Sequence, residues 1–183
     1  MLTVSVFCAS SPKIKPEYFQ AAAQLGLLLA QSDITAVCGA GATGLMGQLT
    51  DSMIAAGGRV IGVMPQFMYD LGWQHAHLSD LKILSSMHER KALMAEMSDA
   101  SIALPGGCGT FEELLEIITW RQLGLYNKPV IILNTLGYYD NLLNMLQVAV
   151  EEQFMSASNL QLWQVAATPE EVISMIQSNV NKS

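Results

Sequence analysis

Pro105-Gly106-Gly107-Cys108-Gly109-Thr110-Phe111-Glu112-Glu113 is the stretch of this 183-residue chain whose residue types and spacing best suit chemistry. Three glycines in four positions follow the apolar run Ser101-Ile102-Ala103-Leu104, and an amphipathic pattern follows them. A strand, a glycine turn and a helix start in that order make a cradle for an anion. Glycines let the backbone approach closely, and the first helical turn offers unpaired N–H groups at the positive end of the helix dipole. Glu112 and Glu113 stand in that turn, and adjacent helical residues point about 100° apart, so one at most faces the cradle. A carboxylate beside an anion cradle points to a reaction on a phosphorylated molecule.

Met87-His88-Glu89-Arg90-Lys91 is a second candidate. It places two adjacent cations at a helix start in a chain with only three arginines. The helix dipole disfavours cations there, so a bound phosphate or a carboxylate partner is expected, with a solvated face paired to Glu89 as the plain alternative. Gly39-Ala40-Gly41-Ala42-Thr43-Gly44 matches G-x-G-x-x-G after a strand. A dinucleotide site would also want an acid near the end of the next strand, and Val63-Met64-Pro65-Gln66 has none. A tight turn that approaches a mononucleotide or phosphate is the simpler reading. Neither glycine loop is followed by Gly-Lys-Ser/Thr, which disfavours nucleoside triphosphate hydrolysis. Ser10 and Ser11 lack the G-x-S-x-G context of a serine hydrolase.

These residues must be positioned by a scaffold. Apolar runs predict strands at 2–7, 34–38, 59–64, 81–84, 100–104, 130–133 and 160–165. Helical periodicity predicts helices at 16–31, 45–56, 87–97, 110–123, 138–153 and 169–179, with Pro16 and Pro169 in first turns and Thr168 as an N-cap. Alternating strands and helices predict an α/β fold: one Rossmann-like domain over 1–183, a doubly wound parallel sheet of about seven strands with helices on both faces. Ligands of such sheets bind outside the carboxyl ends of the strands, where Cys8-Ala9-Ser10-Ser11, the loop 39–47 and the loop 106–110 would meet. The longest irregular segment, 65–80, holds Trp73, His75 and His77. It reads equally as a binding loop or lid and as a surface cover packed by Trp73. Met53, Met64, Met68, Met94, Met97, Met145 and Met155 read as core or interface filling.

Composition sets limits. A net charge of −7 disfavours nucleic acid as a partner, so any anion must be held by local features. Hydrophobic residues make up 51% and charged ones 14%, which hints at surface buried between subunits. Each apolar run falls short of the roughly 18 residues of a membrane span. Residues 2–7 read as a strand rather than a secretory leader. Cys8, Cys38 and Cys108 are odd in number and unpaired in spacing. They suggest small buried residues in a reducing cytoplasm, and the three histidines show no metal-ligand spacing, so no metal is expected.

The 105–113 stretch fits the P-G-G-x-G-T-x-x-E signature and resembles the Lonely Guy family of cytokinin riboside 5'-monophosphate phosphoribohydrolases, often labelled possible lysine decarboxylases. Val6-Phe7-Cys8-Ala9-Ser10-Ser11 is similar to the family's first strand and turn. Gly39-Ala40-Gly41-Ala42-Thr43-Gly44-Leu45-Met46-Gly47 resembles its G-G-G-x-x-G-L-M-G loop, and Met87-His88-Glu89-Arg90-Lys91 its M-H-x-R-K segment. Residues 114–124 and Gly137-Tyr138-Tyr139 also read like family sequence.

The resemblance implies a homodimer that hydrolyses the N-glycosidic bond of a purine nucleoside 5'-monophosphate, AMP or an N6-modified AMP, without metal or organic cofactor. It implies Arg90 and Glu113 as catalytic residues. Gly106, Gly107, Gly109 and Thr110 would hold the 5'-phosphate, Ser10 would touch the phosphate or the ribose, and Lys91 would help bind substrate. Gly41 and Gly44 belong to the matching glycine loop and are taken as substrate-binding. Arg90 is expected to hold Glu113 ionised by lowering its pKa.

The sequence departs from the family pattern at Gly72, where relatives often carry an acid, and at Cys108, a position often bulky. The missing acid supports a rival reading, a nucleotide-binding or sensing protein without catalysis. Lysine decarboxylation would need a Schiff-base lysine in a cofactor site, which the six lysines do not suggest.

Overall fold

The computed structural model describes residues 2–180. Seven strands form one sheet in the order β4-β3-β2-β1-β5-β6-β7: β1 Thr3–Phe7, β2 Thr35–Cys38, β3 Val60–Pro65, β4 Asp80–Leu84, β5 Ala100–Ala103, β6 Val130–Leu133 and β7 Gln164–Ala166. Every neighbouring pair is parallel. The chain runs outward from β1 to β4, then returns to the other side of β1 with β5. The crevice between β1 and β5 is thus the switch point at which ligands of such sheets bind.

Seven helices cover the two faces: α1 Pro16–Gln31, α2 Gly44–Ala55, α3 Gln66–Asp70, α4 Met87–Met97, α5 Cys108–Gln122, α6 Asp140–Glu151 and α7 Pro169–Val180. Strand side chains alternate between faces, and the core divides accordingly. Val4, Val6, Ala36, Ile102 and Ile131 meet α1, α2 and α7 through Leu25, Leu29, Leu49, Met53, Val172 and Ile176. Val37, Ile61, Val63, Ala103 and Ile132 meet α4 and α5 through Met94, Leu114, Ile117 and Ile118. The nearly uninterrupted apolar strands predicted from the sequence are those of a sheet covered on both sides.

Local signals hold at several ends. Pro16 opens α1. Glu171 N–H donates to Thr168 Oγ1 and Glu171 Oε2 accepts from Ala167 N–H, a capping arrangement at α7. Three expectations need correction. The apolar run 160–165 is not one strand: residues 157–161 form a 3-10 turn that turns Leu160 and Leu162 onto the core, and only Gln164–Ala166 pairs with β6. The segment after β3 is not wholly irregular, because Gln66 Nε2 donates to Asp70 Oδ1 across the single turn of α3. The helix expected from 138 begins at Asp140, after a turn in which Leu136 takes a φ of 55°.

Candidate active site

A cavity of about 450 Å³ lies at the carboxyl ends of β1, β2, β3 and β5. Ser10 and Ser11 line it from the turn after β1, Gly39 and Gly41 from the loop after β2, Arg90 from α4, and Gly107, Gly109, Thr110, Glu112 and Glu113 from the start of α5. A smaller cavity of about 270 Å³, bounded by Leu2, Asp99 and Lys128, lies at the opposite ends of the strands. Ligand sites of parallel sheets do not form at that edge.

The α5 end of the cavity carries free donors. Gly107 is the N-cap, and its carbonyl takes the first helical bond from Phe111 N–H at 3.0 Å. The amides of Cys108, Gly109 and Thr110 have no acceptor among the described residues, as expected for a first helical turn. A Cβ added at Gly107 or Gly109 would meet nothing within 4 Å, so both glycines open onto free space. The loop is held from behind. Tyr138 Oη donates to the Gly106 carbonyl, Tyr139 Oη to that of Leu104, and Ala9 N–H to that of Pro105. Phe111 stacks on Tyr138, with centroids 6.3 Å apart. A backbone fixed in this way presents its amides without reorganising when an anion arrives.

Beside the cradle Arg90 and Glu113 form an ion pair, Nη1 to Oε1 at 2.9 Å, with both side chains more than nine-tenths buried. Arg90 Nε also donates to the Val63 carbonyl at 3.0 Å, and its guanidinium lies across the end of β2. There a Cβ at Gly39 would stand 2.2 Å from Nη2, so only glycine leaves it room. Burial pushes the Glu113 carboxyl above the usual carboxylate range, against the pull of Arg90 and Lys91. This reverses the expected direction: Arg90 orients the carboxyl, but desolvation of a nearly sealed acid outweighs its charge.

Lys91 is nearly buried and is absent from the cavity lining. Its Nζ bridges Glu112 Oε1 and Glu116 Oε2, the latter at 3.0 Å. Burial pulls the ammonium down, the two carboxylates pull it up, and the net direction is up. Both cations at the start of α4 therefore have carboxylate partners, and Glu89 is no ion-pairing face: it caps the helix by accepting from Ser85 N–H and Oγ. Both acids border the cavity, against the expectation that one at most would face it, but they differ in setting: Glu113 is buried on Arg90, and Glu112 is exposed and paired with Lys91.

The loop after β2 behaves differently. Gly41 lines the cavity, but Gly44 packs with a φ of 66° against the Ala9–Ser10 turn, where a Cβ would lie 2.5 Å from the Ser10 carbonyl carbon. The amides of Leu45 and Met46 donate to the Ala9 carbonyl, Thr43 Oγ1 to the Ser10 carbonyl, and Ala42 N–H to the Trp73 carbonyl. This glycine loop is joined to its neighbours, and the first turn of α2 spends its donors on them.

The sequence reading passed over part of the wall. Met46, Met64, Met68 and Met87 line the cavity with Trp73. Met64 and Met68 are thus not mere filling. Their places at the end of β3 and just beyond it carried the signal, since strand ends of this fold face the ligand. His75 is buried, its Nε2 2.9 Å from Asp51 Oδ1 while Nδ1 accepts from His77 N–H, which fixes the segment 73–77 on α2. Of the cysteines, Cys8 and Cys38 are buried as expected, and Cys108 is exposed at the cavity. Among the described residues no group of three His, Cys, Asp or Glu is placed to hold a metal, and no helix is long and apolar enough to cross a membrane.

Fold and site together define a Rossmann-like protein with free helix-start amides and a buried arginine–glutamate pair at the sheet's switch point. Residues 46–176 match the profile of the family described as "Possible lysine decarboxylase". The chain is 43% identical over 175 residues to a probable cytokinin riboside 5'-monophosphate phosphoribohydrolase of Oryza sativa subsp. japonica, covering 96% of this chain and 70% of that protein. It is 42% identical over 177 residues to a cytokinin riboside 5'-monophosphate phosphoribohydrolase of Arabidopsis thaliana, covering 97% and 83%. The chain belongs to the Lonely Guy family, the family of these proteins.

Among solved structures it is similar to a molybdenum cofactor binding protein from Rippkaea orientalis, at 25% identity and a TM-score of 0.75 over 98% of this chain and 97% of that one. The Moco carrier protein of Chlamydomonas reinhardtii shares the fold at 20% identity, with a TM-score of 0.74 over 100% and 99%.

Proposed function

We propose that the chain hydrolyses the N-glycosidic bond of a purine nucleoside 5'-monophosphate, AMP or an N6-modified AMP, giving free base and ribose 5-phosphate. The observation that carries the reading is the meeting, in one cavity, of three free helix-start amides with the buried Arg90–Glu113 pair. Membership in a family whose relatives bear this activity in their names supports the substrate.

The 5'-phosphate sits on the amides of Cys108, Gly109 and Thr110, with Ser10 reaching the phosphate or ribose. Binding at that remote point orients the sugar. The C1'–N9 bond breaks with its electron pair on the base, and positive charge builds on the ribose ring. The ionised Glu113 carboxylate stabilises that charge and accepts a proton from the water that adds to C1'; the departing base takes up a proton from solvent, and Glu113 returns its own to solvent to complete the cycle. Arg90 holds the carboxylate in place. Lys91 acts from behind, through Glu112, and this replaces direct contact with substrate as its role.

Pure protein incubated with AMP and with N6-isopentenyl-AMP is expected to release adenine or its N6-substituted form. No base from either would remove the assignment. A second reading, binding without turnover, is favoured by Gly72, an exposed residue next to the cavity-lining Trp73 at a position where the family resemblance leads one to expect an acid, and by the likeness to a cofactor-binding protein of the same fold. Tight AMP binding with no base released would establish it instead. Lysine decarboxylation gains nothing from Lys91, whose amine is engaged by two carboxylates.

We also infer a homodimer. Leu114, Ile117 and Ile118 of α5 are buried within the chain, but Leu115 and the following Leu123 and Leu125 are exposed, a surface suited to a second copy. Light scattering that returns the monomer mass would remove this. The single sheet supports treating 1–183 as one unit, and three free cysteines support a reducing, cytoplasmic home.

A further inference from the structure

Trp73 combines two properties that rarely occur together. Its backbone is pinned on both sides: Trp73 N–H donates to the Met68 carbonyl at 3.3 Å, Ala42 N–H donates to the Trp73 carbonyl at 3.2 Å, and Gln74 bridges Gly41. The His75–Asp51 contact fixes the next turn. Yet the residue is 53% exposed, and its indole has no ring contact or hydrogen bond among the described residues. An indole left half in water forgoes the burial that usually holds such a side chain. It lines the cavity, and the chain reaches it through Gly72 at a φ of 71°.

Met46, Met64, Met68 and Met87 line the same cavity. These thioethers are polarisable and adaptable, suited to the face of an aromatic ring and poorly suited to reading hydrogen bonds at its edge. Gly72 supplies no side chain to do so. The polar donors and the ion pair of the cavity come from other elements, the turn after β1, α4 and α5.

We propose that Trp73 is the base-binding residue of the site: its indole lies against the face of the purine, and the methionines of the cavity complete the base's surroundings. This rests on the nucleotide reading above. Base–aromatic stacking needs only a ring face, so Trp73 adds affinity for the base with little discrimination by edge substituents.

The test uses full-length Trp73→Ala and Trp73→Phe. Trp73→Ala is expected to raise KM for AMP about 5- to 150-fold, with kcat within about threefold, and Trp73→Phe to restore most of the loss. Inhibition by ribose 5-phosphate, which has no base, stays unchanged in both. AMP quenches tryptophan fluorescence in the parent and not in Trp73→Phe. An unchanged KM in Trp73→Ala, equal weakening of AMP and ribose 5-phosphate, or a changed mass by light scattering accompanying the KM effect would overturn the assignment. The two proposals fail separately. Turnover with an unaltered KM in Trp73→Ala leaves hydrolysis standing without the indole. Trp73-dependent quenching without turnover leaves the indole standing without hydrolysis.

Discussion

The chain contains two loops of one local form, strand, glycine turn and helix start, and they do different work. In the loop that ends in α2, the helix-start amides of Leu45 and Met46 go to the Ala9 carbonyl, and Gly44 is locked by its positive φ against the same turn. In the loop that ends in α5, the amides of Cys108, Gly109 and Thr110 are free, and Gly107 and Gly109 face open space. A glycine pattern therefore says that backbone comes close to something. Where the amides are directed decides whether that something is the protein or a ligand. The acids on the two helices follow suit: Asp51 on α2 is 65% exposed beside His75, and Glu113 on α5 is 9% exposed on Arg90.

The sharpest way to break this comparison is to neutralise both acids. Glu113→Gln is expected to lower kcat by on the order of 10²- to 10⁴-fold, and Asp51→Asn by less than about threefold, in steady-state assays of base release. Similar losses in the two would erase the distinction.

Next in size are the glycines. Gly44→Ala forces a side chain into a left-handed backbone and against Ser10, and should destabilise by about 3 kcal/mol in denaturant unfolding. Gly109→Ala has space and a helical position, so stability should hold or rise by up to about 1 kcal/mol, while nucleotide affinity measured by calorimetry drops about tenfold. A Gly109→Ala protein that binds normally would return the α5 loop to the class of the α2 loop.

A smaller effect appears in pH. Burial raises the Glu113 pKa, and the proposed chemistry needs the ionised form. Activity should therefore fall as pH drops through a value above the ordinary carboxylate range, and the residual activity of Glu113→Gln should lack that limb. The stability sign is opposite. A carboxyl whose folded pKa is raised contributes most below its unfolded value, and that contribution is lost as pH rises through the folded one. Parent stability relative to Glu113→Gln should decline across that window. The smallest effect is expected for His75→Ala, about 1 kcal/mol, from loss of the contact with Asp51 and of the acceptor for His77 N–H.

The contrast also marks how far the sequence could be read. Strands and helices were legible because apolar runs and 3.6-residue periods survive in single segments, as at β5 and α5. The pairing of Arg90 with Glu113 was legible through the family motifs. The occupied amides of α2 were not, because the acceptor, the Ala9 carbonyl, is backbone from a distant turn and leaves no trace in residue type. Burial of Glu113 was equally hidden: an acid in a first helical turn looks like a dipole partner until the packing around it is known. The end of the chain misled for another reason. Residues 160–165 are apolar enough for a strand, but their first part folds as a 3-10 turn and places Leu160 and Leu162 on the α4–α5 side of the core.

The central claim, that the phosphate rests on the free amides of α5 and the glycosidic bond faces Glu113, is tested most directly by a crystal structure of Glu113→Gln with AMP. The account predicts phosphate oxygens within about 3 Å of the Gly109 and Thr110 amides, and C1' beside residue 113. A phosphate seated against the Gly41–Gly44 turn, or a nucleotide outside this cavity, would contradict it.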